Sequence, residues 1–289
     1  MKIIFIILLS VLFSGKDSSK FDIDFGNLKN LNLDLMNVNN LDKIKSQKYL
    51  MPYEIEALQK QASDYIPTAV GDSDIVIIET SRGTMKLRLL NDIAPNHCYN
   101  FKKLANSGFY DETYFHRIIK NFMIQGGDIL TRDKDYTNDG RGGPGWTIDN
   151  EFNNIKHKKG ILSMARSSDV NSAGSQFFIC SADAPHLDGQ YTAFGEVIDG
   201  EHVIGKLNNT ETHRTVILRS SKQKIPDGEN FDNWIQVTDY RSRKVLYSKI
   251  PEDYSAESYT SYLKNELNND KPIRSPKIIK IRVVDSIED

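Results

Sequence analysis

Cysteine is scarce in this chain. Only Cys98 and Cys180 occur in 289 residues, far apart and without metal-ligand spacing, which argues against a zinc site. The apolar run SQFFIC around Cys180 suits a buried free thiol better than a disulfide. Net charge is nearly absent too, with Lys+Arg 37 against Asp+Glu 39 and no long basic stretch, so nothing calls for nucleic acid. Beyond Ile3–Phe13 there is no long hydrophobic run, and that one is shorter than the roughly 20 residues needed to span a bilayer. The loop carrying Gly140, Gly142, Gly143 and Gly145 lacks the Gly-Lys-Ser/Thr ending of a phosphate loop and reads as a turn. Asp149 and Glu151 lie just before Phe152 without the paired-carboxylate arrangement of a glycosidase. No Ser/His/Asp or Cys/His constellation of a hydrolase is visible.

What is present begins at the N-terminus. Lys2, the apolar run Ile3–Phe13 and the small polar residues Ser14–Ser19 have the layout of a signal peptide over residues 1–15. A buried strand or a short anchor is the competing reading. No cysteine follows the run, which argues against a bacterial lipid anchor. The expected destination is the secretory pathway, the periplasm or the exterior, with no stable membrane insertion after cleavage. Asn208-Asn209-Thr210 is then a glycosylation sequon if the source is eukaryotic. Residues 16–70 form an extension rich in Asn, Asp, Leu and Lys. Within it Ile55, Leu58 and Ala62 are spaced for a helix over Tyr53–Tyr65.

At Asp74 the character changes. Ile75–Thr80 and Thr84–Leu90 read as strands joined by a tight turn at Ser81-Arg82-Gly83. Pro95–Asn106 reads as a helix opened by proline. Further strands are expected around Tyr114–Asp128, Ile161–Ala165, Gln176–Cys180 and Lys277–Val284. Many short strands with glycine turns and few helices indicate a mainly β fold, closed or sandwiched. Residues 71–289 are read as one domain. Its polar stretch at about 209–272 is an insertion before the last strand, with a candidate strand at Thr215–Arg219 and a helix near Ala256–Leu267.

The stretch YFHRIIKNFMIQGGD places Arg117 in an otherwise apolar run, where a guanidinium is costly without a partner or a task. By strand alternation Met123 shares a face with Gln125, and Gln176 with Phe178. Each strand thus offers an amide and an apolar group on one face. That pattern fits either a peptide-binding surface or a core with glutamines at its rim. His116 faces away from Arg117 by the same alternation and reads as packing.

FHRIIKNFMIQGGD, GGPGWTIDNEF, GILSMA, NSAGSQFFIC and HLDGQYTAFGEVIDG together closely resemble the cyclophilin family of peptidyl-prolyl isomerases, in order and spacing. The resemblance covers about Asp74 to Leu207 and returns in the final strand. It implies a closed eight-stranded antiparallel barrel capped by two helices, no cofactor, and proline-containing peptides and unfolded proteins as partners. It further implies Arg117 as the catalytic residue and Phe122, Met123, Phe178 and Leu187 as walls of a proline pocket. Gln125 corresponds to a handle on the substrate backbone. Ala165 and Arg166 fall where main-chain groups hold the peptide, and Gln176 lines the groove.

Three positions depart from the common family pattern. Arg166 replaces an asparagine, His186 a tryptophan and Tyr191 a histidine. The missing indole N–H implies weakened cyclosporin binding, whereas the Tyr191 hydroxyl keeps a polar group near the substrate carbonyl. The expected activity is isomerisation of X–Pro bonds. The alternative is a non-catalytic proline-peptide binding module, chaperone or scaffold acting through the groove and the insertion.

Overall fold

The computed structural model describes residues 50–133, 135–239 and 241–285; the expected signal peptide and residues 16–49 of the extension lie outside them. Its strands are β1 (Asp74–Thr80), β2 (Gly83–Leu89), β3 (Arg117–Ile119), β4 (Met123–Gly126), β5 (Ile161–Met164), β6 (Phe177–Cys180), β7 (Ala193–Asp199), β8 (Trp234–Thr238), β9 (Val245–Lys249) and β10 (Ile278–Asp285). Eight of them form one antiparallel sheet in the order β10-β1-β2-β7-β5-β6-β4-β3. Alternation builds its core face. Val76 and Ile78 of β1, Met85 and Leu87 of β2, Ile124 of β4, and Phe177 and Ile179 of β6 join one apolar cluster. Register shifts at Glu79/Thr80, Lys86/Leu87 and Leu162/Ser163 bend the strands and curl the sheet.

The expected closed barrel is corrected to a half-barrel. Among the described residues no ladder joins the edge strands β3 and β10; the segment before β3 meets the chain at β10 through the bridge Tyr114↔Lys277 and the Glu112 N–H on the Ile279 carbonyl at 3.3 Å. The local chemistry explains the open seam. Pro276 has no N–H to donate and only accepts one, from Phe115 at 3.0 Å. The Ile118 N–H of the short strand β3 is taken by the Asp270 carbonyl at 3.0 Å. The chain returning from the polar stretch therefore occupies the place where pairing would continue.

Helix α1 (Pro52–Asp64) ties the extension to the core through buried Ala62, and Gln59 donates to the Gly143 carbonyl at 2.9 Å. Helix α2 (Pro95–Asn106) and helix α3 (Glu201–Asn208) bury Phe101, Leu104, Val203, Ile204 and Leu207 in the same cluster. Ala94 cannot cap α2 with a side chain. Glu151 does so from a distance, accepting the Asn96 and His97 N–H groups at 3.0 and 2.9 Å, where a carboxylate also suits the helix dipole.

Between α3 and β10 the chain forms α4 (His213–Ser220), the hairpin β8–β9 and α5 (Ala256–Glu266). These carry their own apolar cluster of Ile217, Val237, Leu246, Tyr259, Leu263 and Leu267. The strand expected at Thr215–Arg219 is helix. Thr215, Val216 and Ile217 favour β structure locally, but Thr212 caps the Thr215 N–H at 3.2 Å and the Ile217 side chain packs into the cluster. β10 pairs with β1 from Asp74↔Asp285 to Thr80↔Ile278. Among the described residues no helix is long and apolar enough to cross a membrane.

Candidate active site

The pairing of β3, β4 and β6 aligns a polar row. Arg117 stands opposite Gln125, and Gln125 opposite Phe178. Arg117 Nη1 donates to Gln125 Oε1 at 3.4 Å, and Gln125 Nε2 donates to Gln176 Oε1 at 3.0 Å. Gln176 Nε2 in turn donates to the carbonyls of Gly140 and Gly142 at 3.0 and 2.9 Å. The row fixes the amide orientations, because each of these contacts sets an N–H donor against an oxygen acceptor. Arg117 Nε lies 3.5 Å from Asp270 Oδ2, its side chain is 46% exposed, and Nη2 has no partner among the described residues.

Beside this row lies an apolar patch distinct from the main core. Met123, Phe178 and Leu187 are buried in it, with Phe122, Ala165 and Tyr191 half-buried against it. The exposed His186 ring sits 5.0 Å from that of Phe122, and Tyr191 meets Phe178 edge-on at 5.9 Å. The Arg166 guanidinium lies 4.6 Å above the Tyr191 ring and donates to the Gln190 carbonyl at 3.0 Å. The Ala165 N–H is used within the protein, donating to the Gln176 carbonyl at 2.9 Å. A cleft of about 490 Å3 brings Gln125, Ala165, Arg166 and Gln176 together against the Gly140–Trp146 loop.

That loop is held by a buried anion. Asp128 Oδ1 accepts the Leu130 N–H at 2.8 Å, and Oδ2 accepts from Gly140. Burial raises the Asp128 carboxyl above its ordinary value against the pull of these backbone donors. Gly142 approaches so closely that a Cβ would sit 2.0 Å from Asp128 Oδ1. His116 is buried, as packing predicts, although it lines the same cleft as Arg117, Tyr136, Asp139, Arg241 and Asp270. Among the described residues neither of its ring nitrogens makes a well-formed hydrogen bond, and the Tyr114 main chain offers a weak interaction.

Two features escaped the sequence. Asp270 reaches Arg117 from the inserted segment and is itself held by Arg241, and nothing in Asn268-Asn269-Asp270-Lys271 or around Arg241 marks them beforehand. The structure also gathers residues of the hydrolase type. His157 Nε2 lies 3.0 Å from Ser163 Oγ, and Nδ1 lies 3.2 Å from Asp188 Oδ1. Ser163 is fully buried, however, and its hydroxyl donates to the Thr192 carbonyl at 2.9 Å, so it is withheld from any substrate. His157 stacks on Phe178 at 6.2 Å and supports the apolar patch from below. Cys98 and Cys180 are free and buried, and burial pushes both thiols up to about 12.

The family model described as "Cyclophilin type peptidyl-prolyl cis-trans isomerase/CLD" matches residues 75–226. A peptidyl-prolyl cis-trans isomerase of Synechococcus elongatus is 45% identical over 135 residues, covering 46% of this chain and 88% of that protein. The peptidyl-prolyl cis-trans isomerase cypE of Dictyostelium discoideum is 46% identical over 143 residues, covering 48% and 86%. A solved Cryptosporidium parvum cyclophilin-type isomerase, in the presence of the dipeptide Ala-Pro, is 30% identical with a TM-score of 0.49. It covers 73% of this chain and 98% of its own.

Proposed function

The chain belongs to the cyclophilin-type peptidyl-prolyl cis-trans isomerase family, and from that membership we propose that Arg117 drives X–Pro rotation by donating to the proline nitrogen. The activity is that of a peptidyl-prolyl isomerase. The finer reading concerns how these residues carry it, on folding or exposed polypeptides.

An X–Pro imide resists rotation with a barrier of roughly 18–20 kcal/mol, because resonance ties the nitrogen lone pair to the carbonyl. In the twisted transition state that lone pair is released, and the nitrogen becomes pyramidal and basic. A hydrogen bond made to it there is stronger than in the planar ground state, which is the condition for catalysis. Arg117 suits the task because a guanidinium only donates and stays charged. Its Nη2 group is unpartnered among the described residues. Met123, Phe178, Leu187 and Phe122 would grip the proline ring. Gln125 keeps an N–H and a lone pair beyond those it spends on Gln176 and Arg117, and can hold the flanking peptide with them. No nucleophile, acid–base pair or metal enters this route.

The observation that carries the reading is the Arg117–Gln125–Gln176 row lying beside the apolar patch. The test is a proline-isomerisation assay on a short peptide with wild type and Arg117→Ala. Loss of most acceleration in the variant is expected, and equal rates would refute the assignment.

His186 beside Phe122 offers no indole N–H, so cyclosporin is expected to bind weakly. Titration of wild type and His186→Trp by calorimetry tests this, and equal affinities would count against it. Lys2 with Ile3–Phe13 supports a secretory route, tested by fusing residues 1–20 to a reporter and locating it. The separate apolar cluster between α3 and β10 favours one second reading, a binding module or scaffold. Peptide binding without any acceleration in the same assay would establish that reading instead.

A further inference from the structure

We infer that Asp270, supplied by the segment inserted between α3 and β10, is a positioning residue for Arg117, so that the insertion completes the active site. The inference rests on the reading of Arg117 as the donor to the proline nitrogen.

Asp270 is buried, and Arg241 clamps it with Nη1 on Oδ1 at 2.7 Å and Nη2 on Oδ2 at 2.6 Å. That fork alone neutralises the carboxylate, since a bidentate guanidinium satisfies both oxygens. Arg117 Nε nevertheless lies 3.5 Å from Oδ2 as a second cation. The backbone fixes the anchor as well, because the Asp270 carbonyl accepts the Ile118 N–H next in sequence to Arg117. The adjacent Lys271 pairs with Asp139 at 3.0 Å and donates to the Tyr136 carbonyl, which ties the same turn to the loop before Gly140.

The geometry divides the guanidinium by edge. Asp270 takes the Nε edge and Gln125 takes Nη1, which leaves Nη2 for a substrate. A half-exposed arginine without the Nε anchor would spread over several rotamers, and the free edge would face the proline nitrogen only part of the time. The anchor adds little net field at the nitrogen, because Arg241 cancels the Asp270 charge. Its effect is therefore orientation, and it should appear in kcat rather than in KM.

The competing explanation is that Asp270 merely staples the insertion to the sheet through Arg241 and Ile118. A double-mutant cycle separates the two. Wild type, Arg117→Ala, Asp270→Asn and the double variant are assayed on one X–Pro peptide, with thermal unfolding as a check on folding. Asp270→Asn is expected to lower kcat about tenfold, the scale of an arginine set free, with KM unchanged. In the Arg117→Ala background the same change should have no further effect.

Equal rates for wild type and Arg117→Ala would overturn the donor reading and this inference with it. A slow Arg117→Ala beside a fully active Asp270→Asn would overturn the inference alone. So would equal fold losses from Asp270→Asn in both backgrounds, because Asp270 would then act independently of Arg117. A measurement on the wild type avoids any folding defect: 15N relaxation of the Arg117 Nε–H. A rigid Nε–H supports the anchor, and mobility equal to that of exposed Arg243 contradicts it.

Discussion

Gln125 stands directly across the β3–β4 pair from Arg117, and its amide accepts from the guanidinium on one side while donating to Gln176 on the other. The amide orients Arg117 through its oxygen and is itself oriented through its nitrogen. Gln125→Ala should break both links while leaving the ladder intact. A loss of about tenfold or more in kcat/KM is expected, the scale of a hydrogen bond to a charged group. The thermal midpoint should change little, since Gln125 is outside the main core. Activity equal to wild type would show that Arg117 needs no such guide.

His116 makes stability depend on pH. Burial pushes its imidazole down to about 4; Asp139 opposes the shift, and the Arg117 and Lys271 charges reinforce it. Once unfolded, the group returns toward its ordinary value of 6.5, so the unfolded chain binds a proton first as pH falls. The stability from keeping His116 neutral is whole above pH 6.5 and is lost as pH falls toward 4. Its size approaches about 3 kcal/mol at the acid end. Burial lowers His97 and His157 in the same direction. Urea unfolding at pH 7 and pH 4.5 checks this. His116→Phe should be about as stable as wild type at pH 7 and lose less on acidification.

Gly142 has no room for a side chain. A Cβ there would meet Asp128 Oδ1 at 2.0 Å and Leu130 Cγ at 2.7 Å. Gly142→Ala should push the loop off its buried carboxylate at about 1–3 kcal/mol of stability, the usual range for overpacking. The Gly142 carbonyl also accepts from Gln176, so kcat/KM should fall together with the thermal midpoint. An alanine variant unchanged in both would show that the loop adjusts freely.

The inserted segment contains a buried ion pair, Arg214 to Asp239 at 2.8 Å, with Arg214 Nη1 also donating to the Leu267 carbonyl at 2.6 Å. Asp239 is pulled below its ordinary value by Ser242 and Arg214, despite burial acting the other way. Arg214→Ala strands a buried carboxylate and should destabilise the segment by about 3–5 kcal/mol. Hydrogen exchange should show β8, β9 and α5 opening first, with β1 and β2 still protected.

Local patterns foretold much of this fold. Alternation in SQFFIC and FMIQ grouped Gln176 with Phe178 and Met123 with Gln125, because a curled sheet still obeys period two, but which face was the core became clear only when Phe177 and Ile179 joined the main cluster. The proline-opened helix at Pro95–Asn106 has the expected bounds. The open seam was not legible, since it depends on Asp270 taking the Ile118 N–H across a long stretch of sequence. The helix at His213–Ser220 hid behind its β-branched residues and declared itself only through the Thr212 cap and distant packing. Asp270 and Arg241 look like ordinary surface charges in the sequence, and only the folding of the insertion pairs them and brings Asp270 to Arg117.

The most direct test of Arg117 as a transition-state donor is exchange NMR on an X–Pro peptide with wild type and Arg117→Ala, which measures the on-enzyme rotation rate and the peptide Kd separately. The on-enzyme rate should fall by about 100- to 1000-fold, as when one preorganised donor is removed, with Kd within about threefold of wild type. A weakened Kd with an unchanged on-enzyme rate would contradict it and leave Arg117 a binding residue only.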